Sequence, residues 1–414
     1  MKSSKQKEEI VAIYDIGSGS VGGALVSIPK TSKKKSFNFL TLSAEESPED
    51  KPLVLYSTRT PITLNQDFDF DHFLFETGRA LENVSKKMEQ ALFTPPMAGR
   101  GAPAKVFCFL SAPWYSCQTR IIKLKRNTPY KFTEKLAEEY IQKEIKNFES
   151  IQAKHFENTG EKMRLIESRI MEMKLNGYKT AMPFDKKISE FEIALFVAVG
   201  SERILGAIEH QIQHFFNQEV VFESFIFPSF AVSRDIFPDE KNFISIDIAG
   251  EVTDLSVSRD EVLDESITYP LGKNYFIREI SRALGLDSFD AHSALTLYLS
   301  GHGHKAMNKK LEPILARAGM QWLSYFQNAL REISGKKSIP AKIFLTADPD
   351  MSAWFGELLK MEEFHKYTLT DNKFNVTIIK PSDLYDFINF RSGLKRDEFL
   401  MIEAIFINRI KNHA

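Results

Sequence analysis

Cysteine is nearly missing from this chain, with Cys108 and Cys117 the only two in 414 residues. Two thiols cannot build a disulfide framework or a cysteine-based zinc site, and a reducing compartment suits such a chain. Charge of one sign is also missing: 54 Lys and Arg stand against 55 Asp and Glu, a net charge of -1. That balance argues against a generally basic nucleic-acid binder and against a polyacidic tail. No stretch approaches the roughly 20 apolar residues that span a bilayer. Met1–Glu9 is rich in Lys and Glu and shows no apolar signal-peptide region before the first strand. The expectation is a cytoplasmic protein with no transmembrane segment and no nucleic-acid partner.

Apolar residues make up 43% of the chain and charged residues 26%, which excludes a disordered chain. At about 150 residues per domain, the length predicts two or three compact units. Phenylalanine is abundant, at 34 residues, and reads as core filling.

Along the chain, Ile10–Tyr14 and Ala24–Ile28 read as strands around a Gly-rich turn. Thr31–Ser36 reads as a hairpin tip and Phe37–Ser43 as a third strand. Helical spacing of Phe73, Leu74, Leu81, Val84 and Met88 predicts a helix over Phe70–Leu92. Phe93–Ala104 reads as a loop and Val106–Leu110 as a buried strand. A separate α+β unit follows: a strand over Gln118–Lys125, a helix from Thr133, alternation at Met171, Met173 and Leu175, and an Asn176-Gly177 turn. Glu190–Val199 then reads as a half-buried strand and Glu202–Phe216 as a helix. In the second half, Asn242–Ile248 and Leu255–Val257 read as strands and Tyr275–Ile333 as mostly helical. Lys342–Thr346 reads as a buried strand and Arg396–Ile410 as a final helix. A strand ending in Asp, a Gly turn and a second strand thus occur twice, at Asp15 and at Asp247.

The first loop reads Asp15-Ile16-Gly17-Ser18-Gly19-Ser20 and the second Asp247-Ile248-Ala249-Gly250-Glu251-Val252-Thr253. A carboxylate at a strand end can hold a metal-bound water, and glycines let backbone N–H groups approach phosphate oxygens. Two such loops facing each other could clamp a triphosphate and its magnesium from both sides.

These two loops resemble the phosphate-binding loops of the actin, Hsp70 and hexokinase superfamily. In detail the chain resembles the bacterial cell-division family FtsA and, more distantly, PilM of type IV pilus assembly. Supporting segments are Val106–Gln118, Leu175–Tyr178 with Glu190–Gly200, Pro270–Asn274 and Met320–Thr346. The resemblance implies a two-lobed actin-like (ribonuclease H-like) α/β fold. The first lobe is expected over 8–111 and 202–236, and an inserted α+β (SHS2-like) subdomain over 112–201. The second lobe is expected over 237–284 and 340–414, and a small helical subdomain over 285–339. It further implies an ATP and Mg site built from Asp15, Gly17, Ser18, Gly19, Ser20, Asp247, Gly250, Thr253 and Thr346, with the two Asp as metal-water candidates.

The chain departs from that pattern. Ala249, Glu251 and Val252 stand where Gly, Gly and Thr are expected, and Ala347 and Asp348, before Pro349, replace glycines of the adenosine loop. His292 and Leu295 replace a Glu and a Lys near the nucleoside, and Ser20 replaces a frequent Lys. A Glu251 carboxylate about 5 Å from a phosphate would repel it by about 3 kcal/mol at a dielectric of roughly 20. The expected protein is therefore a scaffold with a degraded ATP cleft and little or no ATPase activity. By resemblance it would join itself head to tail and bind a tubulin-like division protein. The alternatives are a pilus-assembly adaptor binding a membrane-protein peptide, and an active ATPase or kinase. His210 and His214 read as a solvated helix face, His302 and His304 as a turn, and the cysteines as packing residues. The final helix reads as the last packed helix of the second half, with no separate membrane anchor. Any position at the inner face of the membrane would come through a partner.

Overall fold

The structure, a computed structural model, describes residues 8–29, 50–95, 97–154, 161–334, 337–360 and 373–413. The expected hairpin tip at Thr31–Ser36 and strand at Phe37–Ser43 lie outside the described residues.

The first lobe is built on a six-stranded sheet. β1 (Glu8–Ile16), β2 (Ser20–Pro29) and β3 (Leu53–Pro61) form an antiparallel meander. β4 (Lys105–Leu110) and β9 (Val220–Ser224) extend it in parallel beyond β1, and the short β15 (Asn389–Phe390) lies outside β3. β1 is apolar on both faces because helices cover both. α1 (Phe70–Leu92) and α3 (Glu202–Phe216) pack together as one layer, and α4 (Ile226–Ile236) and α10 (Glu398–His413) as another. α1 starts where Asp69 accepts the His72 N–H at 2.7 Å, and it buries Phe73, Leu81, Val84 and Met88 on one stripe.

The second lobe repeats the plan. β10 (Phe243–Ile248), β11 (Thr253–Arg259) and β12 (Val262–Tyr269) are antiparallel, and β13 (Lys342–Ala347) and β14 (Asn375–Ile378) continue in parallel from β10. α5 (Lys273–Leu284), α6 (Ser288–Leu299), α7 (Lys305–Ser334) and α8 (Ser352–Leu359) pack on it around Trp322. α9 (Pro381–Leu384) is a short connector. Asp15 and Asp247 take equivalent places, each near the end of the first strand of a hairpin with a parallel neighbour on the other side.

The inserted unit is a four-stranded antiparallel sheet, β5 (Ser116–Phe132), β8 (Lys186–Ser201), β6 (Met163–Leu175) and β7 (Tyr178–Lys179), covered by α2 (Glu134–Lys154). Asn176 and Gly177 make its tight turn with φ of 49° and 85°, where glycine and asparagine are tolerated best.

Two expectations change, and one strand was not anticipated. β8 is buried on both faces, not one. Phe191, Ile193, Leu195, Val197 and Val199 fill the core under α2, while Ala194, Phe196 and Ala198 pack into the first lobe. The unanticipated strand is Leu53–Pro61, which pairs with β2 and whose mostly half-buried side chains give no clean alternation. The C-terminal segment does not join the second lobe: Leu400–Ile407 pack in the first-lobe core, and Phe406 meets Phe109 and Phe227 edge-on. An apolar helix states that it needs a sheet, and two sheets of similar character were available.

Candidate functional site

The two Asp hairpins meet across the boundary between the lobes. They touch. A Cβ on Gly250 would lie 2.4 Å from Gly19 Cα and 2.6 Å from Gly19 N, so only the bare backbones fit together. The Glu251 N–H donates to Ser18 Oγ at 2.9 Å, a bond from one lobe to the other. The Gly250 and Ala249 carbonyls accept the Asn274 and Lys273 N–H groups at 2.7 and 2.9 Å, which fixes the second loop to the start of α5.

Arg59 answers two of the carboxylates in this junction, while Asp247 has no hydrogen-bond partner on Oδ1. Arg59, on β3, donates to Asp15 Oδ2 at 2.6 Å and to Ser20 Oγ at 2.9 Å. Its other N–H groups reach Asp397, at the head of α10, at 2.6 and 2.9 Å. Burial works against the charge on Asp397, yet Arg59 holds its carboxyl below the usual range. For Asp15 burial outweighs Arg59 and the carboxyl rises. Asp247, 9% exposed, is pushed well above the ordinary carboxylate range by burial, then by the nearby charges of Asp254, Asp15 and Asp348. Oδ1 of both Asp15 and Asp247 is buried without a hydrogen-bond partner.

On the opposite wall, Arg278 grips Glu251 with two bonds of 2.6 and 2.7 Å, and Asn274 Nδ2 donates to the same carboxylate at 2.8 Å. The expected repulsion by Glu251 is therefore corrected: its charge is compensated by Arg278. Lys273 bonds Asp348 and Asp350 at 3.0 and 2.8 Å, and His292 Nε2 lies 3.3 Å from Asp350. Burial alone would lower Lys273, but these two carboxylates raise it.

Two anticipated site residues are used elsewhere. Thr253 is fully buried, donates to the Leu271 carbonyl and accepts from Trp322 Nε1 at 3.2 Å, so it serves the second-lobe core. Thr346 lies beside Asp247 in register, with its hydroxyl on the Ile246 carbonyl at 3.3 Å. Leu295 is buried in the second-lobe core. Gly17 caps its own turn and accepts from Trp114 Nε1 at 3.2 Å. Arg59, Arg278 and Asp397 were missed by the motif reading. So was Glu403, which is fully buried on α10 with neither oxygen hydrogen-bonded and is raised well above its usual value by burial, then by Asp15. Among the described residues no group of His, Cys, Asp and Glu has metal-holding geometry.

No known family model matches the chain, and no curated protein matches it in sequence. Solved structures do match in three dimensions. The PilM–PilN type IV pilus biogenesis complex superposes with a TM-score of 0.58 at 12% identity, covering 99% of each chain. MreB 5 of Spiroplasma citri bound to AMPPNP gives 0.44 at 10% identity over 97% of each chain. A Bacteroides thetaiotaomicron protein with an actin-like ATPase fold gives 0.38 at 9%, covering 93% of this chain and 97% of that one. The fold is actin-like. In an actin-like fold, ATP and Mg would sit where the two hairpins face. Here Gly19 and Gly250 are in backbone contact, Arg59 already neutralises Asp15 and the Glu251 carboxylate fills the Arg278 fork, so the charged groups present do not fit an anionic phosphate chain.

Proposed function

We propose that this chain is an actin-fold scaffold that docks an extended, basic segment of a partner protein on its inserted subdomain. The observation that carries the reading is a groove of about 760 Å³ between α2, β6 and the 180–184 loop. It is lined by Ile141 and Met173, with the exposed Met182 and Phe184 at its edge, and its three charged lining residues, Glu134, Glu138 and Glu172, are all acidic, Glu172 being paired with Lys174 and Lys179. Methionine adapts to irregular partners. β7 pairs with only Lys174 and Leu175, so the edge of β6 from Ser168 to Glu172 has a strand on the β8 side alone among the described residues. An added strand would take its hydrogen bonds there and place alternate apolar side chains in the groove.

Glu134 and Glu138 on the rim select Lys and Arg, which are frequent in cytoplasmic segments flanking membrane helices. No helix among the described residues is long and apolar enough to cross a membrane. The reading thus puts the chain in the cytoplasm, held at the inner membrane face by its partner, an adaptor role of the kind the PilM–PilN complex represents. Fluorescence anisotropy with a labelled peptide alternating Leu and Lys tests it against the whole chain. Binding is expected, weakened by salt, and weakened at least about tenfold by Glu134→Lys with Glu138→Lys. No binding, or equal binding of the peptide with Glu in place of Lys, would sink the reading.

A division-type scaffold is a second reading. It needs a second docking surface for a head-to-tail contact, and a recess of about 440 Å³ lined by Met320, Leu323 and Trp354 offers one. Sedimentation with and without a tubulin-like protein tests it, and a chain that stays monomeric in both removes it. ATP turnover has the least support, because Arg59 is already paired with Asp15 and Arg278 with Glu251.

A further inference from the structure

We infer that Glu251 and Arg59 act as built-in stand-ins for an anionic ligand and its cation, so that the cleft of this actin fold closes without nucleotide. The inference goes beyond the docking reading and does not depend on it.

The donors around Glu251 make up an oxyanion site. Arg278 presents both N–H groups of its fork, the Asn274 amide adds a third donor, and the carboxylate lies at the first turn of α5, where the helix dipole favours negative charge. Phosphate oxygens take this kind of donor set. Here the chain's own carboxylate fills it. Arg278 is more than nine-tenths buried and also donates to the Asn65 carbonyl of the first lobe at 3.3 Å, so the filled site pins both lobes.

The opposite wall shows the complementary substitution. Asp15 is the carboxylate that sequence assigns to a metal or its water. The Arg59 guanidinium sits against it, with a second carboxylate, Asp397, on the far side. One fixed cation between two carboxylates supplies, at the same place, one of the two positive charges that a bound divalent ion would bring. A Cβ on Gly22 would come within 2.8 Å of Arg59 Nη2, so the side chain lies flat on the hairpin and leaves little room for an ion. Between the two walls, Ser18 and Glu251 share their cross-lobe hydrogen bond and the glycine backbones touch. The two walls are thus joined by the chain's own groups.

The experiment uses the full chain with Mg·ATP, Mg·ADP and pyrophosphate as probes. It reads binding by calorimetry and hydrogen exchange at residues 17–20 and 249–252. For the wild type, no heat and no change in exchange are expected at millimolar probe. Glu251→Gly empties the anion site: exchange in both segments should rise at least about tenfold, and pyrophosphate should bind and reverse the rise. Glu251→Gln keeps the side chain's length and is the second variant should the glycine fail to fold; it should loosen both segments without gaining pyrophosphate. Sub-millimolar binding of Mg·ATP by the wild type would overturn the inference. So would a folded Glu251→Gly chain that neither loosens nor binds pyrophosphate. Both results are independent of whether a basic peptide binds the inserted subdomain.

Discussion

Glu398 follows Asp397 at the head of α10 and is 5% exposed. Burial pushes its carboxyl up to about 7. The folded protein therefore keeps a proton that the unfolded chain releases near pH 4.5. The stability from this group is complete below that value and declines as pH rises to about 7. Glu398→Gln should remove this slope and raise stability at pH 8 by up to about 3 kcal/mol. Melting temperatures of both proteins from pH 4.5 to 8 check it, and parallel curves would refute it. Asp350 runs the other way. Burial opposes its charge, but the His292 hydrogen bond and Lys273 bring it down to about 2. Its contribution is present above about pH 4 and fades as pH falls toward 2.

At the scale of the element, α10 decides how the first lobe is closed. Its Phe406 ring is 2% exposed and meets Phe109 of β4 at 6.3 Å and Phe227 of α4 at 5.8 Å. Phe406→Ala should cost about 3–5 kcal/mol in chemical denaturation. If α10 instead lay free of the core, the loss would be well under about 1 kcal/mol. The helix itself was legible, because its apolar residues repeat at helical spacing, and the same holds for α1 and α3. Its address was not, since periodicity reports a buried face and not the sheet that buries it. The site divided in the same way. The Asp15 and Asp247 hairpins could be read because their residues are contiguous. Arg59 could not, since its partners Asp15 and Asp397 lie 44 and 338 residues away. Glu251 looked repulsive for the same reason: its neutralising Arg278 is 27 residues on, across a strand pair and a helix start. Thr253 was drawn into the site by motif order, while its hydroxyl was already committed to Leu271 and Trp322.

For the whole molecule, the relation between the lobes rests on backbone contact that any side chain would disturb. Gly250→Ala places a methyl 2.4 Å from Gly19 Cα and 2.7 Å from the Ser18 carbonyl. The hairpins must separate, and stability should fall by about 1–3 kcal/mol with faster hydrogen exchange at both loops. Gly206→Ala is the control: it lies inside α3 with open space around the new Cβ, and it should be neutral or stabilising by up to about 1 kcal/mol. Equal effects of the two changes would mean that the loops are not in contact in solution. The inserted unit is tied in by side chains as well. Arg169 of β6 grips Glu223 of β9 at 2.7 and 2.8 Å, and Tyr115 donates to Asp254 of the second lobe at 2.7 Å. Strand β8 does more, because its alternate residues belong to two cores. Moving it by one residue would turn both sets of side chains to the wrong face at once. A tether that tugs on the inserted unit therefore loads the first lobe directly. The strand has no slack in which to stretch, and tension at that surface reaches Phe196 and Ala198 without passing through a hinge.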